Sequence, residues 1–398
     1  MISHKHKFIF VHIPKCGGTS IELVLLKNEG IELTDDNIEL LTNKEKQEYS
    51  IGYEFQDTMA QHRKISQYEV FNNKENIQLL KVDWEMLFDK GNYSFFQSFT
   101  YCYNSILKQS KPFIICYYED GKLVEIWPLE LKKNKLIFIN DTHADFCDII
   151  SETDSLTIIN FLKENKLASQ LRLKNLKKDS ITIKKTGSIK VKDVSFILNY
   201  SLLKLEKSDN FPSNFNHFVY RQKRRLKRIL KKYNHKTVLY EIESSKFPIQ
   251  KIKKLRKQMI ELEFRNNNFL DEDLISLIEK LYTSGSLIVN EVVVDNNTTA
   301  ISFIFKKNYY YSFWIDLFND QKMMNLVNNT AFIKEITKEN SASFNFGRGD
   351  YSYKIKNFGP EVIPLFELNT YSTEVEKYLS LFLKSVQLVL KKLYKKFR

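Results

Sequence analysis

The chain has 398 residues, 43% of them hydrophobic and 14% aromatic, which is enough apolar material for two or three packed domains and excludes a disordered chain. Its formal net charge of +13 points to anionic partners, such as phosphates, nucleic acid or a membrane face, or else to a solvated lysine-rich surface. Cys16, Cys102, Cys116 and Cys147 show neither metal-ligand nor disulfide-framework spacing, the seven histidines show no metal spacing, and there is no secretory signal or membrane-spanning run, so a cytoplasmic location is expected.

Charge is uneven along the chain. Residues 1–70 carry eight Lys/Arg against eleven Asp/Glu, so the remainder is strongly basic and a boundary is expected near residue 70. Within this front segment Phe8 to Ile13 reads as a buried strand, Gly17 and Gly18 allow a tight turn, and Thr19 or Ser20 starts a helix ending at Gly30. Such a turn aims backbone N–H groups at one point, and Lys15 adds a charge; this is a phosphate grip or, equally, a bare strand–helix turn. The lysine precedes the glycines, so it is not a Walker A loop. IFVHIPKCGGTSIE resembles the 5′-phosphosulfate loop of carbohydrate-type sulfotransferases, and AQHRKISQYE is similar to a stretch further along those enzymes. The resemblance implies that Lys15, Gly17, Gly18, Thr19 and Ser20 contact the phosphate of a sulfonucleotide. No second phosphate-gripping half follows residue 70, and seventy residues are too few for a doubly wound nucleotide fold, so a truncated strand–loop–helix fragment is expected over 1–70.

From residue 71 the pattern changes. Lys81 to Leu107 reads as helical segments, and Phe113 to Asp141 as a β-meander turning at Asp120-Gly121 and Lys132-Lys133-Asn134. A helix is predicted over Leu156 to Asn165 and short strands over Ser180 to Tyr200. Asn216 to Lys236 has nine Lys/Arg and no acid, with Phe218, Leu226, Ile229, Leu230 and Tyr233 on one stripe. It reads as a solvated helix, a nucleic-acid footprint, or a helix beside a phosphate-bearing donor. Helices over Gln250 to Arg265 and Asp271 to Leu281 precede a second meander, Ser286 to Phe318. A helix near Asn329 to Glu339 and a strand in SFNFGRGDYSYK follow. Two similarly ordered α+β units suggest a duplicated fold.

DWEMLF, EDGKLVEIWPL, YRQKRRLKR and above all FNFGRGDYSYKIKNFG (Phe344 to Gly359) resemble GNAT-like acyltransferases of the cellulose-biosynthesis and Fem-like type. The resemblance implies an α+β fold of two tandem GNAT-like domains, mixed sheets flanked by helices, over 71–210 and 211–370. It implies that Arg348, Gly349, Asp350, Tyr353 and Lys354 line the site, with Arg221, Arg224 and Arg225 near it. Lys354 and Asp350 are the expected catalytic pair: a lysine stabilises the oxyanion of acyl transfer, and an aspartate orients it or accepts a proton. The alternative is a surface ion pair of Arg348 and Asp350 at a strand end, worth little.

Acyl-CoA is the donor the resemblance implies, yet no glycine lies between Gly285 and Gly347 to let a pyrophosphate approach. Asn329 and Thr330 supply donors there instead, and Fem-like relatives use aminoacyl-tRNA. Val375 to Arg398 reads as an apolar helix with a basic end. It lies on an anionic inner-membrane surface, or packs on a partner or on its own domain. The expected function is N-acyl transfer to an amino-sugar or similar amine of a small-molecule or glycan acceptor in surface-glycan synthesis. The alternatives are a sulfonucleotide-binding protein and a non-enzymatic RNA- or membrane-binding protein.

Overall fold

The computed structural model describes residues 2–3, 8–9, 66–207, 224, 228, 231, 235–241, 246–307, 310–319, 329–330, 332–333, 335–337, 340–349, 351, 354–355 and 358–396. The chain divides into two units, Met1–Lys64 and Ile65–Arg398. In the first, β1 (Ile2–Ser3) and β2 (Phe8–Ile9) form an antiparallel pair with Ile2 opposite Ile9. Lys15, Gly17, Gly18, Thr19 and Ser20 lie outside the described residues.

The second unit begins with β3 (Ser66–Phe71), which pairs antiparallel with β4 (Pro112–Glu119), Val70 opposite Ile115. The expected boundary at residue 70 therefore falls inside a strand, and the SQYE of the sulfotransferase-like stretch belongs to this unit. Ile114 and Ile115 are fully buried, so the β4 edge needs a partner of its own chain rather than water. The meander continues through β5 (Lys122–Lys132) and β6 (Lys135–Phe138), with β7 (Ile150–Ser151) beside β5. Asp120-Gly121 and Lys133-Asn134 have φ of 52°, 73°, 50° and 57°. Two successive left-handed residues are what a tight hairpin requires, and the turn-forming residues had marked both sites.

Helices α1 (Lys74–Leu79), α2 (Lys81–Lys90) and α3 (Phe99–Ser105) contribute Ile77, Trp84, Leu87 and Tyr101 to the core. The buried Trp84 indole donates to the Gln97 carbonyl at 2.9 Å, so its one polar atom is satisfied. After α4 (Thr157–Glu164) comes β8 (Arg172–Lys177).

Short strands were expected over Ser180 to Tyr200. The structure has instead α5 (Ile181–Lys185), a 3-10 turn, and one long strand, β9 (Lys192–Leu205). The reason is tertiary. Ser180 caps the helix by accepting from the Ile183 amide at 3.2 Å, and Asp148 adds acceptors for the Ile181 and Thr182 amides at 2.9 and 2.8 Å, holding a helix that β-branched residues alone would not form. On the same helix Lys185 meets Glu125 of β5 at 2.6 Å, both buried. Burial raises the Glu125 carboxyl, and Lys185 opposes that rise.

The second sheet has eight strands in the order β10-β11-β12-β13-β14-β9-β15-β8. Its further members are β10 (His235–Tyr240), β11 (Leu287–Val294), β12 (Asn297–Lys307), β13 (Tyr310–Phe318), β14 (Ala342–Arg348) and β15 (Glu361–Thr370). Neighbouring strands in this order run antiparallel except β13 and β14, which are parallel. Because β8 and β9 sit among strands from beyond residue 235, the expected division at 210 separates sheet partners. His235 and Lys236 are strand rather than the end of the basic helix, pairing with Val294 and Val293. Arg224, Arg228 and Lys231 are helical and exposed; Arg221 and Arg225 lie outside the described residues.

Helices α6 (Ile249–Glu261) and α7 (Glu272–Thr283) cover the sheet. Asp271 caps α7 by accepting from the Leu274 amide at 2.9 Å. Asp271→Ala should cost about 1 kcal/mol in urea unfolding; an unchanged midpoint would show that the six buried residues of α7 hold it without the cap. The last helix is α8 (Glu374–Lys396). Among the described residues no helix is long and apolar enough to cross a membrane.

Candidate functional site

The parallel pair β13/β14 positions the site. Its pairing is confined to Tyr310–Ser343, Tyr311–Phe344 and Ser312–Asn345. Beyond this both strands are irregular. β13 shifts register against β12 between Phe303 and Ile304, and β14 shifts against β9 between Asn345 and Arg348. Gly347 and Gly349 have φ of 71° and 90°, a region glycine enters freely. A Cβ on Gly347 would lie 2.9 Å from both the Phe313 carbonyl and Asp145 Oδ2. The wedge between the strands is therefore filled by backbone and one carboxylate, with no room for a side chain.

Three of the expected site residues meet here. Arg348 Nη2 donates to the Thr142 carbonyl at 2.6 Å and its Nε lies 3.4 Å from Asp145 Oδ1. The Gly349 amide donates to the Asn199 carbonyl at 2.6 Å. Lys354 is buried, and its ammonium donates to the carbonyls of Phe346, Gly347, Arg348 and Gly349 at 2.6, 3.4, 2.9 and 3.2 Å. It spans the whole glycine turn. Asp350 and Tyr353 lie outside the described residues. Asn329 and Thr330 are buried, and Asn329 Oδ1 and Thr330 Oγ1 have no hydrogen-bond partner among the described residues.

Sequence reasoning missed Asp145. It lies in DTHADFCD, after β6, where nothing in spacing or neighbours marks it. Burial pushes its carboxyl up to about 6, against the pull of Arg348 and Lys354. Its Oδ2 is buried without a partner among the described residues. A carboxyl raised on folding binds its proton more tightly in the folded state. Asp145 therefore adds stability below the unfolded value of 3.8 and withdraws it as pH rises through about 6. The gap corresponds to roughly 3 kcal/mol. Urea titrations at acid and neutral pH should show this component in the wild type and not in Asp145→Asn; the same pH slope in both would remove Asp145 as its source.

A cleft of about 1070 Å³ opens against the paired end of β13/β14. Tyr93, Phe95, Phe96 and Phe146 supply aromatic wall, and Tyr310, Ser312 and Ser343 line it from the second sheet. Lys177 and Lys307 also line it, and Lys307 Nζ donates to the Phe88 and Gly91 carbonyls at 3.4 and 3.5 Å. Lys177 Nζ lies 4.8 Å from the Phe146 ring centre and Lys307 Nζ 3.7 Å from that of Phe88. Burial lowers the pKa of both. Asp148 lines the cleft too, but its carboxylate is engaged by α5. Asp89 and Asp179 line the cleft as well: Asp179 and Asp148 act on Lys177 and Asp89 on Lys307, without offsetting the burial of either lysine.

The cleft and the glycine turn are joined through Asn345. Its Nδ2 donates to Tyr310 Oη at 3.0 Å, and its Oδ1 accepts from the Gly347 amide at 2.8 Å. Burial raises the Tyr310 phenol, and the charge of Asp145 adds to the rise. Ser312 Oγ is buried with no partner among the described residues. Among the described residues no His, Cys, Asp and Glu cluster could hold a metal.

No family model matches the sequence, and no curated protein sequence matches it either. Solved structures do share its fold. The L-PGS of Bacillus licheniformis matches with a TM-score of 0.51 at 11% identity, over 78% of this chain and 96% of the other. The C-terminal domain of a protein assigned as a lysylphosphatidylglycerol synthetase from Agrobacterium fabrum matches at 0.52 and 11%, over 79% and 97%. A conserved protein of unknown function from Bacteroides thetaiotaomicron matches at 0.51 and 10%, over 77% and 100%. The fold is α+β and GNAT-like, with sheets flanked by helices.

Proposed function

We propose that the chain transfers an acyl group from an activated ester or thioester, such as acyl-CoA or an aminoacyl-tRNA, to the amine of an anionic acceptor held in the cleft. The observation that carries this reading is the meeting of two features at one strand pair: an aromatic-walled cleft lined by Lys177 and Lys307, and a tyrosine whose phenol is held protonated. Lys177 and Lys307 bind the acceptor's anionic group. The amine nitrogen attacks the acyl carbonyl, and its proton passes to water in the open cleft. As the carbon–sulfur or carbon–oxygen bond breaks, Tyr310 Oη gives its proton to the leaving atom. Ser312 Oγ donates to the developing oxyanion. Lys354 and Arg348 hold the Gly347–Gly349 turn and Asp145 in place. The unpartnered atoms of Asn329 and Thr330 would meet the polar arm of the donor substrate.

An amino sugar bearing a phosphate satisfies both the amine and the anion, and fits the Fem-like resemblance and a role in surface-glycan synthesis. Thiol release from acetyl-CoA, with glucosamine 6-phosphate compared against glucosamine, tests the reading. The phosphorylated sugar should be preferred. Lys177→Ala and Lys307→Ala should each raise its KM about tenfold, the worth of one desolvated charge contact, with little change in kcat. Equal KM values for both sugars in all three proteins would rule out an anion site in the cleft.

A further inference from the structure

The last helix is seated with its apolar side outward. Lys377, Ser380, Leu381 and Lys384 of α8, spaced i, i+3, i+4, i+7, are the positions partly covered by the body. Lys384 reaches Glu367 of β15 at 3.9 Å. The opposite face carries Val375, Tyr378, Leu379, Phe382, Leu383, Val386 and Leu390, and Val375 and Phe382 are 77% and 63% exposed. A helix that served only to complete the core would place this face inward. Seven consecutive stripe positions left in water is a contiguous apolar patch of the kind that marks an interaction surface.

Charge selects the occupant. The only acids of α8 are Glu374 and Glu376, in its first turn. From Lys384 onward the sequence has six Lys/Arg (Lys384, Lys391, Lys392, Lys395, Lys396 and Arg398) and no acid. A second copy would be recognised by a narrow heptad seam flanked by charges. Here the positions flanking the Leu379–Phe382–Val386 row are Tyr378, Leu383 and Leu390, so the face is broad and uncharged. Broad apolar face, aromatic side chains and one-signed charge together match the interface of an anionic bilayer.

We propose that α8 docks the protein on anionic lipid, with Phe382 and Leu383 entering the headgroup–acyl boundary and the lysine-rich end meeting the lipid charge. Because these side chains face solvent, substituting them leaves the packed core untouched. The proposal does not depend on the acyl-transfer reading.

Co-sedimentation of the full chain with vesicles of equal parts phosphatidylglycerol and phosphatidylcholine tests it, alongside vesicles of phosphatidylcholine alone. The wild type should bind the anionic vesicles at least tenfold better than the neutral ones, and added salt should weaken that binding. Phe382→Glu and Leu383→Glu should each reduce it about tenfold, with circular dichroism and urea midpoint unchanged. Equal binding by wild type and variants would overturn the proposal. So would a wild-type dimer in light scattering that the same variants convert to monomer, since the stripe would then belong to a second copy.

Discussion

Tyr310→Phe is expected to lower kcat by about a hundredfold or more while leaving the KM for either substrate close to that of the wild type. The substitution removes one oxygen from a ring that remains packed against the cluster of Phe146, Tyr200 and Leu365. What is lost is the proton offered to the leaving atom, and general acids of this kind contribute roughly 10²–10⁴ in rate. Burial raises the phenol and Asp145 raises it further, so the proton is present throughout the neutral range. Asn345 donates to the phenolic oxygen at 3.0 Å, which fixes the lone pair and leaves the O–H directed elsewhere. Single-turnover measurement of thiol release, with a thiol of low pKa as leaving group in a parallel experiment, gives the decisive contrast. An activated leaving group needs no acid, so it should recover most of the lost rate. A uniform loss with both donors would mean that Tyr310 only shapes the cleft.

Lys354→Ala is expected to destabilise the fold by about 3–5 kcal/mol, a far larger effect than a surface lysine produces. Four carbonyls of the Phe346–Gly349 turn share its ammonium. Each buried acceptor left without a donor costs about 1–3 kcal/mol, and a hydrogen bond to a charged group contributes about 1.5–3 kcal/mol. The nearby Asp145 would also lose a compensating charge and titrate higher. Urea unfolding followed by fluorescence measures the loss. A lysine that stabilises an oxyanion directly would behave otherwise, losing turnover with its midpoint intact. Lys354→Arg separates the cases further. The larger guanidinium does not fit a site shaped for a point charge, so stability should fall with it as well.

The sequence made the hairpins legible because their turns are local. Asp120-Gly121 and Lys133-Asn134 adopt positive φ for reasons contained in a few residues, and the apolar alternation on either side sets the strands. The same holds for α6, α7 and α8, whose stripes repeat at helical spacing. Ser180 to Tyr200 was misread because α5 is held by Asp148 and Glu125, residues more than thirty positions away. β8 and β15 gave no signal of their own, since their partners are nearly two hundred positions apart, as Leu173 and Leu368 are.

The site shows the same division. The resemblance at FNFGRGDYSYK singled out Arg348, Gly349 and Lys354, and these three lie at one turn. The lysine carried no sign that its charge would be spent on carbonyls. Asp145, Tyr310 and the cleft lysines are unremarkable in sequence: Asp145 arrives on the loop between β6 and β7, Lys177 on β8, and Lys307 and Tyr310 on β12 and β13, so only the tertiary fold brings them near one another.

The placement of β15 between β9 and β8 bears on how the protein is made. During synthesis, β8 and β9 leave the ribosome well before residues 361–370 do. Until then each has an edge with no permanent neighbour, and Leu173, Leu176 and Tyr200 lack the strand that covers them. Exposed edges of this kind recruit other nascent chains. Production should therefore depend on holdase capacity in the host, and should suffer more from slow decoding of the last hundred codons than from changes near the start of the gene.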